Sequence, residues 1–222
     1  MFVIFDLDGT LIESEQIWEE VRRQFVVAHG GTWRKQAQDT MIGMRTTEWA
    51  QYIHDDLGVS LPPAEIAAQV VDAVKERLAH DVPVLPGAQG ALDRLARVFP
   101  LGLATSAASP VARAVLEATG WAKLFRVVVS ADEVANGKPA PDVYVRALEL
   151  LDAPANVSAA VEDSASGIRS AAAARLAVVA IPNRAYPPDA AALAHATSIL
   201  PDLSELEPAV VKDAITRRNS TP

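Results

Sequence analysis

The chain has 222 residues, 50% of them apolar and 22% charged, enough for one large domain or for a core with a smaller appended domain. A net charge of −8 argues against nucleic acid as a partner, because neutralising phosphates needs clustered Lys and Arg. The absence of cysteine excludes disulfides, thiol catalysis and a Cys-ligated zinc site.

The apolar run Phe2-Val3-Ile4-Phe5 predicts a buried strand, and it ends abruptly in Asp6 and Asp8, followed by Gly9 and Thr10. Open α/β sheets place their ligands at the C-terminal ends of strands. Residues two apart on a strand face the same way. Two carboxylates held that close repel each other and raise a pKa unless a cation lies between them. Asp and Gly are also ordinary turn formers, so an isolated Asp-x-Asp would read as a solvated turn. The strand before the pair and the Gly-Thr after it turn the reading toward a site.

Residues 14–29 come next, with apolar positions at helical spacing and Ser14 as a cap. Three more helices are expected at 34–42, 46–57 and 64–79, the last opened by Pro62-Pro63. After Asp81 the pattern changes. Helices at 88–97, 109–119, 141–151 and 165–174 alternate with strands at 100–105, 126–130, 157–162 and 176–181. A weaker helix–strand–helix tail ends the chain, with its strand near 197–200, and the last residues, RRNSTP, are expected to fray. Alternation of this kind predicts right-handed crossovers and a parallel sheet covered on both faces. The fold class is therefore α/β: a Rossmann-like core from 1–13 and 84–222, with an all-helical cap inserted at 14–83. No basic segment followed by a long apolar run opens the chain, and no apolar run approaches the roughly 18 residues a membrane span needs. A cytoplasmic protein with no membrane partner, monomeric or weakly dimeric, is expected.

Three further elements fall at strand ends. Strand 100–105 ends in Thr105-Ser106, where a hydroxyl and backbone N–H groups hold an anion or simply cap the next helix. Gly137-Lys138-Pro139-Ala140-Pro141-Asp142 forms a stiff turn that directs Lys138, a point charge able to neutralise carboxylate or phosphate. Strand 157–162 runs into Glu162-Asp163-Ser164, which reads either as a helix cap or as a hard-metal site. Asp6 and Asp163 could supply carboxylates to Mg²⁺ from parallel strand ends.

FDLDGTL, a strand ending in TS, GKPAPD and VEDSASGI, in that order, resemble the haloacid dehalogenase-like hydrolases, over about residues 2–182. The resemblance implies the phosphatase and sugar-phosphate mutase branch with a helical cap. Asp6 would then be the nucleophile, and Asp8 the general acid and base, with its backbone carbonyl on Mg²⁺. Thr105, Ser106 and Lys138 would hold phosphoryl oxygens, helped by the N–H groups near Leu7 and Asp8. Asp163 would ligate Mg²⁺, with Glu162 a ligand or a partner behind it. Asp8 argues against dehalogenation, since dehalogenases of the family lack the second aspartate. Lys35 and Lys75 are the only cap lysines, and neither has the apolar setting a Schiff-base lysine of a phosphonoacetaldehyde hydrolase would need. The β-phosphoglucomutase branch grips a second phosphate with a cap arginine, and Arg45 falls at a similar place. That branch carries a histidine where this chain has Trp18, and LIESEQIW is instead similar to broad-range sugar-phosphate phosphatases. The expectation is a Mg²⁺-dependent phosphatase acting on a small phosphorylated metabolite, with a mutase as the alternative and a non-catalytic regulatory homologue disfavoured by the intact motif set. Trp18, Trp33, Trp49 and Tyr52 read as core or as cleft walls, and His29, His54, His80 and His195 have no ligand spacing.

Overall fold

The computed structural model describes residues 1–220. Strand β1 (Phe2–Phe5) is followed by helices α1 (Glu15–Ala28), α2 (Ala37–Met41), α3 (Thr46–Asp55), α4 (Pro63–His80) and α5 (Ala88–Ala96). Then come β2 (Leu101–Thr105), α6 (Ser109–Ala118), β3 (Phe125–Ser130), α7 (Asp142–Leu151), β4 (Ser158–Glu162), α8 (Ala165–Ala173) and β5 (Ala177–Ala180). The chain closes with α9 (Ala190–Leu193), β6 (Ser198–Ile199) and α10 (Pro208–Ser220).

All six strands pair in parallel, in the order β3-β2-β1-β4-β5-β6. The order reverses at β1, so the crevice of a doubly wound sheet opens beyond the carboxyl ends of β1 and its neighbours. Phe5 is level with Leu103 of β2 and Val161 of β4, which brings Asp6, Thr105 and Glu162 to one edge. Alternation then sorts side chains by face. Phe5, Leu103 and Val161 join one apolar cluster, and Ile4, Ala104 and Ala160 join a second on the opposite face. Asp6 and Glu162 continue the second face, where α7 and α8 pack. Thr105 continues the first.

The stretch between β1 and α5 is helical, without a strand of its own, as the sequence pattern predicts. Its apolar residues are not segregated: Trp18, Trp49, Ile53 and Val74 belong to the same cluster as Phe5 and Leu103. The Trp18 and Trp49 rings meet at 6.1 Å between centroids, joining α1 to α3. The chain leaves the sheet layer and returns to it at one place. Ile12 bridges Val84, Glu13 N–H donates to Pro83 at 2.8 Å, and Leu85 N–H donates to Leu11 at 3.0 Å.

Two expectations need correction. The helix expected at 34–42 is only the five residues of α2, because Arg34 and Lys35 lie in an exposed loop and contribute no buried face. Arg217–Ser220 do not fray but complete α10, whose Asn219 amide donates to the Asn156 carbonyl at 2.8 Å. Thr221 and Pro222 lie outside the described residues. Among the described residues no helix is long and apolar enough to cross a membrane.

Candidate active site

The crevice is built around one ammonium group. Lys138 Nζ donates to Asp6 Oδ1 and to Glu162 Oε1, each at 2.6 Å, and to the Ala104 carbonyl at 3.1 Å. Lys138 and Glu162 are buried, and so is Asp6. Burial alone would favour a neutral lysine. The fields of Asp6 and Glu162, with their hydrogen bonds, overcome it and hold Lys138 charged, above the ordinary lysine range. The three residues meet because Asp6 and Glu162 leave the sheet on the α7 side, and the turn before α7 aims Lys138 back between them.

Glu162 is fully committed within the protein. Oε1 also accepts the Tyr144 hydroxyl at 2.6 Å, and Oε2 accepts Asp163 N–H at 3.2 Å and the Ser164 hydroxyl at 3.3 Å. Its carboxylate sits against the first turn of α8. A Cβ on Gly167 would lie 1.9 Å from Oε1, so only glycine fits there. Tyr144 carried no sequence signal beyond its place in the first turn of the helix that follows the Lys138 turn.

Asp163 is held by the Thr10 hydroxyl at 3.1 Å, and Gly9, at φ +85°, passes it where a Cβ would stand 2.1 Å from Oδ2. Oxygens of Asp6, Glu162 and Asp163 come within 4.8 Å of one another. Three carboxylates share one lysine. Burial pushes Asp6 up to about 8, with Glu162 and Asp8 adding to the rise and Lys138 opposing it. Asp163 is raised well above the carboxylate range by burial, then by Asp6 and Glu162. Ionised together, the three would carry more negative charge than their lysine balances, a donor set suited to a hard divalent cation. Asp6, Glu162 and Asp163 each offer an oxygen to such an ion, those of Glu162 already accepting hydrogen bonds within the protein.

Asp8 lies on the other wall. Its Oδ1 accepts the Ser14 hydroxyl, its Oδ2 accepts Thr105 Oγ1 at 3.3 Å, and the Trp18 indole also bonds to it. Burial raises its pKa, against those three hydrogen bonds. One expectation changes here. Ser14 makes no capping bond to α1; its hydroxyl serves Asp8 instead. Thr105 ends β2 beside Asp8; its hydroxyl accepts Ala107 N–H at 3.0 Å and donates to Asp8 at 3.3 Å. Ser106 lines the crevice.

The helical layer closes the crevice, which encloses about 70 Å³, small beside the roughly 300–1,000 Å³ of typical ligand pockets. Arg45 is not among its lining residues. Its guanidinium donates to the Ala135 carbonyl at 2.6 Å and pairs with Glu48 at 3.3 Å, tying α3 to the loop before Lys138. Arg22 reaches the crevice instead, with Glu15 beside it. Periodicity could not flag Arg22, since it falls beside Val21 on the stripe that packs inward.

A buried Asp–Lys–Glu triad at the switch point of a parallel α/β sheet, with a second aspartate facing it, defines a class of carboxylate-based α/β enzyme site. Residues 3–181 match the family model described as haloacid dehalogenase-like hydrolase. The chain is 35% identical over 193 residues to Protein CbbY of Rhodobacter capsulatus, covering 82% of this chain and 85% of that one. It is 29% identical over 177 residues to the fructose-1-phosphate phosphatase YqaB of Escherichia coli K12, covering 80% and 94%. The crystal structure of CbbY from Rhodobacter sphaeroides in complex with phosphate superposes with a TM-score of 0.85 at 28% identity, over 94% of this chain and 97% of that one. The chain belongs to the haloacid dehalogenase-like hydrolases.

The Gly167 contact gives a direct check. Gly167→Ala should force Glu162 off Lys138 and cost about 1–3 kcal/mol in urea unfolding. Gly90→Ala, on α5 and facing only the flexible end of Arg94, should be neutral or stabilising by up to about 1 kcal/mol. Equal effects from the two substitutions would contradict the packing described.

Proposed function

We propose that the chain is a Mg²⁺-dependent phosphatase that hydrolyses a small phosphomonoester, a sugar phosphate or similar metabolite, through an aspartyl-phosphate intermediate. The observation that carries this reading is the pairing of Asp6 with Lys138 on one wall and Asp8 on the other, both open to one crevice. Asp6 Oδ attacks phosphorus as the bond to the leaving oxygen breaks. Asp8, whose pKa burial raises, gives its proton to that oxygen. Asp8 then takes a proton from water as the water oxygen attacks phosphorus and the Asp6–phosphorus bond breaks. Lys138 and Ser106 face the transferred oxygens, and phosphoryl transfer depends mainly on such positioning and charge stabilisation. Asp6 and Asp163 would hold Mg²⁺, with the Asp8 carbonyl as a further donor; the ion supplies the positive charge that lets a carboxylate approach a phosphate dianion.

Phosphatase chemistry is preferred to mutase chemistry because the Asp8 surroundings are set by Trp18, where the mutase branch has histidine, and because a relative named as a phosphatase covers most of the chain. Residues 14–83 act in this reading as a cap that swings on the paired stretches at Ile12 and Val84. A crevice of about 70 Å³ admits substrate only when the cap parts from the core.

Asp6→Asn should lower hydrolysis of p-nitrophenyl phosphate by more than about a thousandfold while circular dichroism stays native. Excess chelator should stop the wild-type reaction and Mg²⁺ should restore it; full turnover in chelator would remove the metal from the scheme. With β-glucose 1-phosphate, inorganic phosphate should appear without glucose 6-phosphate, and the reverse would make the enzyme a mutase.

Cap motion is tested by cross-linking. A Cβ at Gly137 would lie 3.5 Å from Arg45 Cβ, inside the span of a disulfide. With no native cysteine to interfere, Arg45→Cys/Gly137→Cys should cross-link on oxidation, lose turnover at least about tenfold and regain it with reductant. Unchanged turnover with the cross-link verified by mass would mean that the cap need not move.

A further inference from the structure

Arg22 is a cation without a protein counterion. It is 5% exposed, on α1, with its guanidinium carbon 4.6 Å from the Trp18 ring centre and 5.0 Å from that of Trp49. Its buried Nε has no hydrogen-bond partner, and among the described residues no carboxylate comes within ion-pairing distance of it. Glu15 and Asp8 act on it only through their fields. Glu15 instead takes the Gln38 amide at 2.9 Å. Buried charges are normally paired, and a guanidinium presents a planar fork of donors matched to carboxylate or phosphate oxygens. Arg22 lines the crevice, so the missing partner has a place from which to come.

Its position says which part of a substrate it meets. Trp18 bonds to Asp8 through its indole and stacks on Arg22 through its ring face. The transferred phosphoryl group belongs beside Asp6 and Lys138. An alcohol leaving past Asp8 therefore runs along Trp18 toward Arg22. Arg45, by contrast, is spent on the Ala135 carbonyl and Glu48.

We propose that Arg22 determines specificity by binding an oxyanion on the leaving alcohol, so that the preferred substrates are phosphomonoesters carrying a second acidic group, a carboxylate or another phosphate. This rests on the phosphatase reading above. Glu15, which also lines the crevice, then takes a hydroxyl group of the same alcohol.

The test compares matched pairs by kcat/KM in Mg²⁺: 3-phosphoglycerate against glycerol 3-phosphate for the carboxylate, and fructose 1,6-bisphosphate against fructose 1-phosphate for the phosphate. The wild type should favour the acidic member of at least one pair by about tenfold or more, and the pair that responds identifies the group. Arg22→Met, which still packs between the two rings, should lower the acidic member by about a hundredfold, mainly through KM, and the neutral member by at least about tenfold less, so that the preference collapses. Arg22→Lys should restore part of the preference, and it carries the test if the methionine variant does not fold. A wild type that favours both neutral members, or an Arg22→Met that loses all substrates alike with an unchanged melting temperature, overturns the proposal. Hydrolysis of p-nitrophenyl phosphate without any pair preference overturns only the role of Arg22. No hydrolysis of any phosphomonoester takes the phosphatase reading down with it.

Discussion

The ammonium of Lys138 between Asp6 and Glu162 is the contact on which the rest of the crevice depends. It ties the end of β1 to the end of β4 and to the turn before α7, three segments far apart in the chain. Removing one partner of such a buried pair typically costs about 3–5 kcal/mol, because the other charge is left without compensation. The local sequence is shaped around it. Tyr144 and the Ser164 hydroxyl occupy the remaining lone pairs of Glu162, and Gly167 leaves room for its carboxylate against α8. Gly9 leaves similar room for Asp163. What reads in sequence as a run of small residues after a carboxylate pair is, in space, the clearance for those carboxylates.

The two aspartates at the end of β1 inhabit different settings although one residue separates them. Asp6 is governed by the core: Lys138, Glu162 and the burial of the sheet edge. Asp8 is governed largely by the first helical segment after β1, since Ser14 and Trp18 bring two of its hydrogen bonds and Thr105 of β2 the third. The setting of Asp8 is thus made partly by the helical layer, and that of Asp6 is not. A layer that moves would retune Asp8 and leave the Asp6–Lys138 pair in place.

Most of the fold was legible because period and punctuation agreed. Every strand expected between 100 and 181 is present, with ends within one residue, since each apolar run is bounded by turn residues and buried on both faces. The segment at 34–42 misled because an apolar spacing sits among exposed residues that bury nothing. Within the site, Asp6, Lys138, Glu162 and Asp163 were legible from strand ends and one stiff turn, and the structure brings all four together. The contact of Thr105 with Asp8 was not, because a strand end shows which residue comes last but not what its hydroxyl meets until the register with β1 is known. Arg22 was illegible for a related reason. A charged residue beside an apolar stripe reads as solvated, and only packing of α1 on α3 shows that two tryptophans hold it inside.

Burial of charge then distinguishes Arg22 from Arg45. Among the described residues the buried charged side chains are Asp6, Arg22, Lys138, Glu162 and Asp163. Four of them line the crevice, and Glu162 lies directly beneath Lys138. Nowhere else in the described chain is a charge taken fully out of water, which is what desolvation cost would impose on groups kept for stability alone. Three of the five are acidic and gathered around Lys138, so their full ionisation would call for a cation on that wall. Arg22 is the reverse case, a positive charge on the opposite wall whose nearest acids bond elsewhere. In the reaction proposed, clustered carboxylates at one end and a guanidinium without an ion-pair partner at the other would suit a ligand bearing a phosphoryl group and a second anion. A neutral sugar phosphate would satisfy only the first end and would leave Arg22 as it stands.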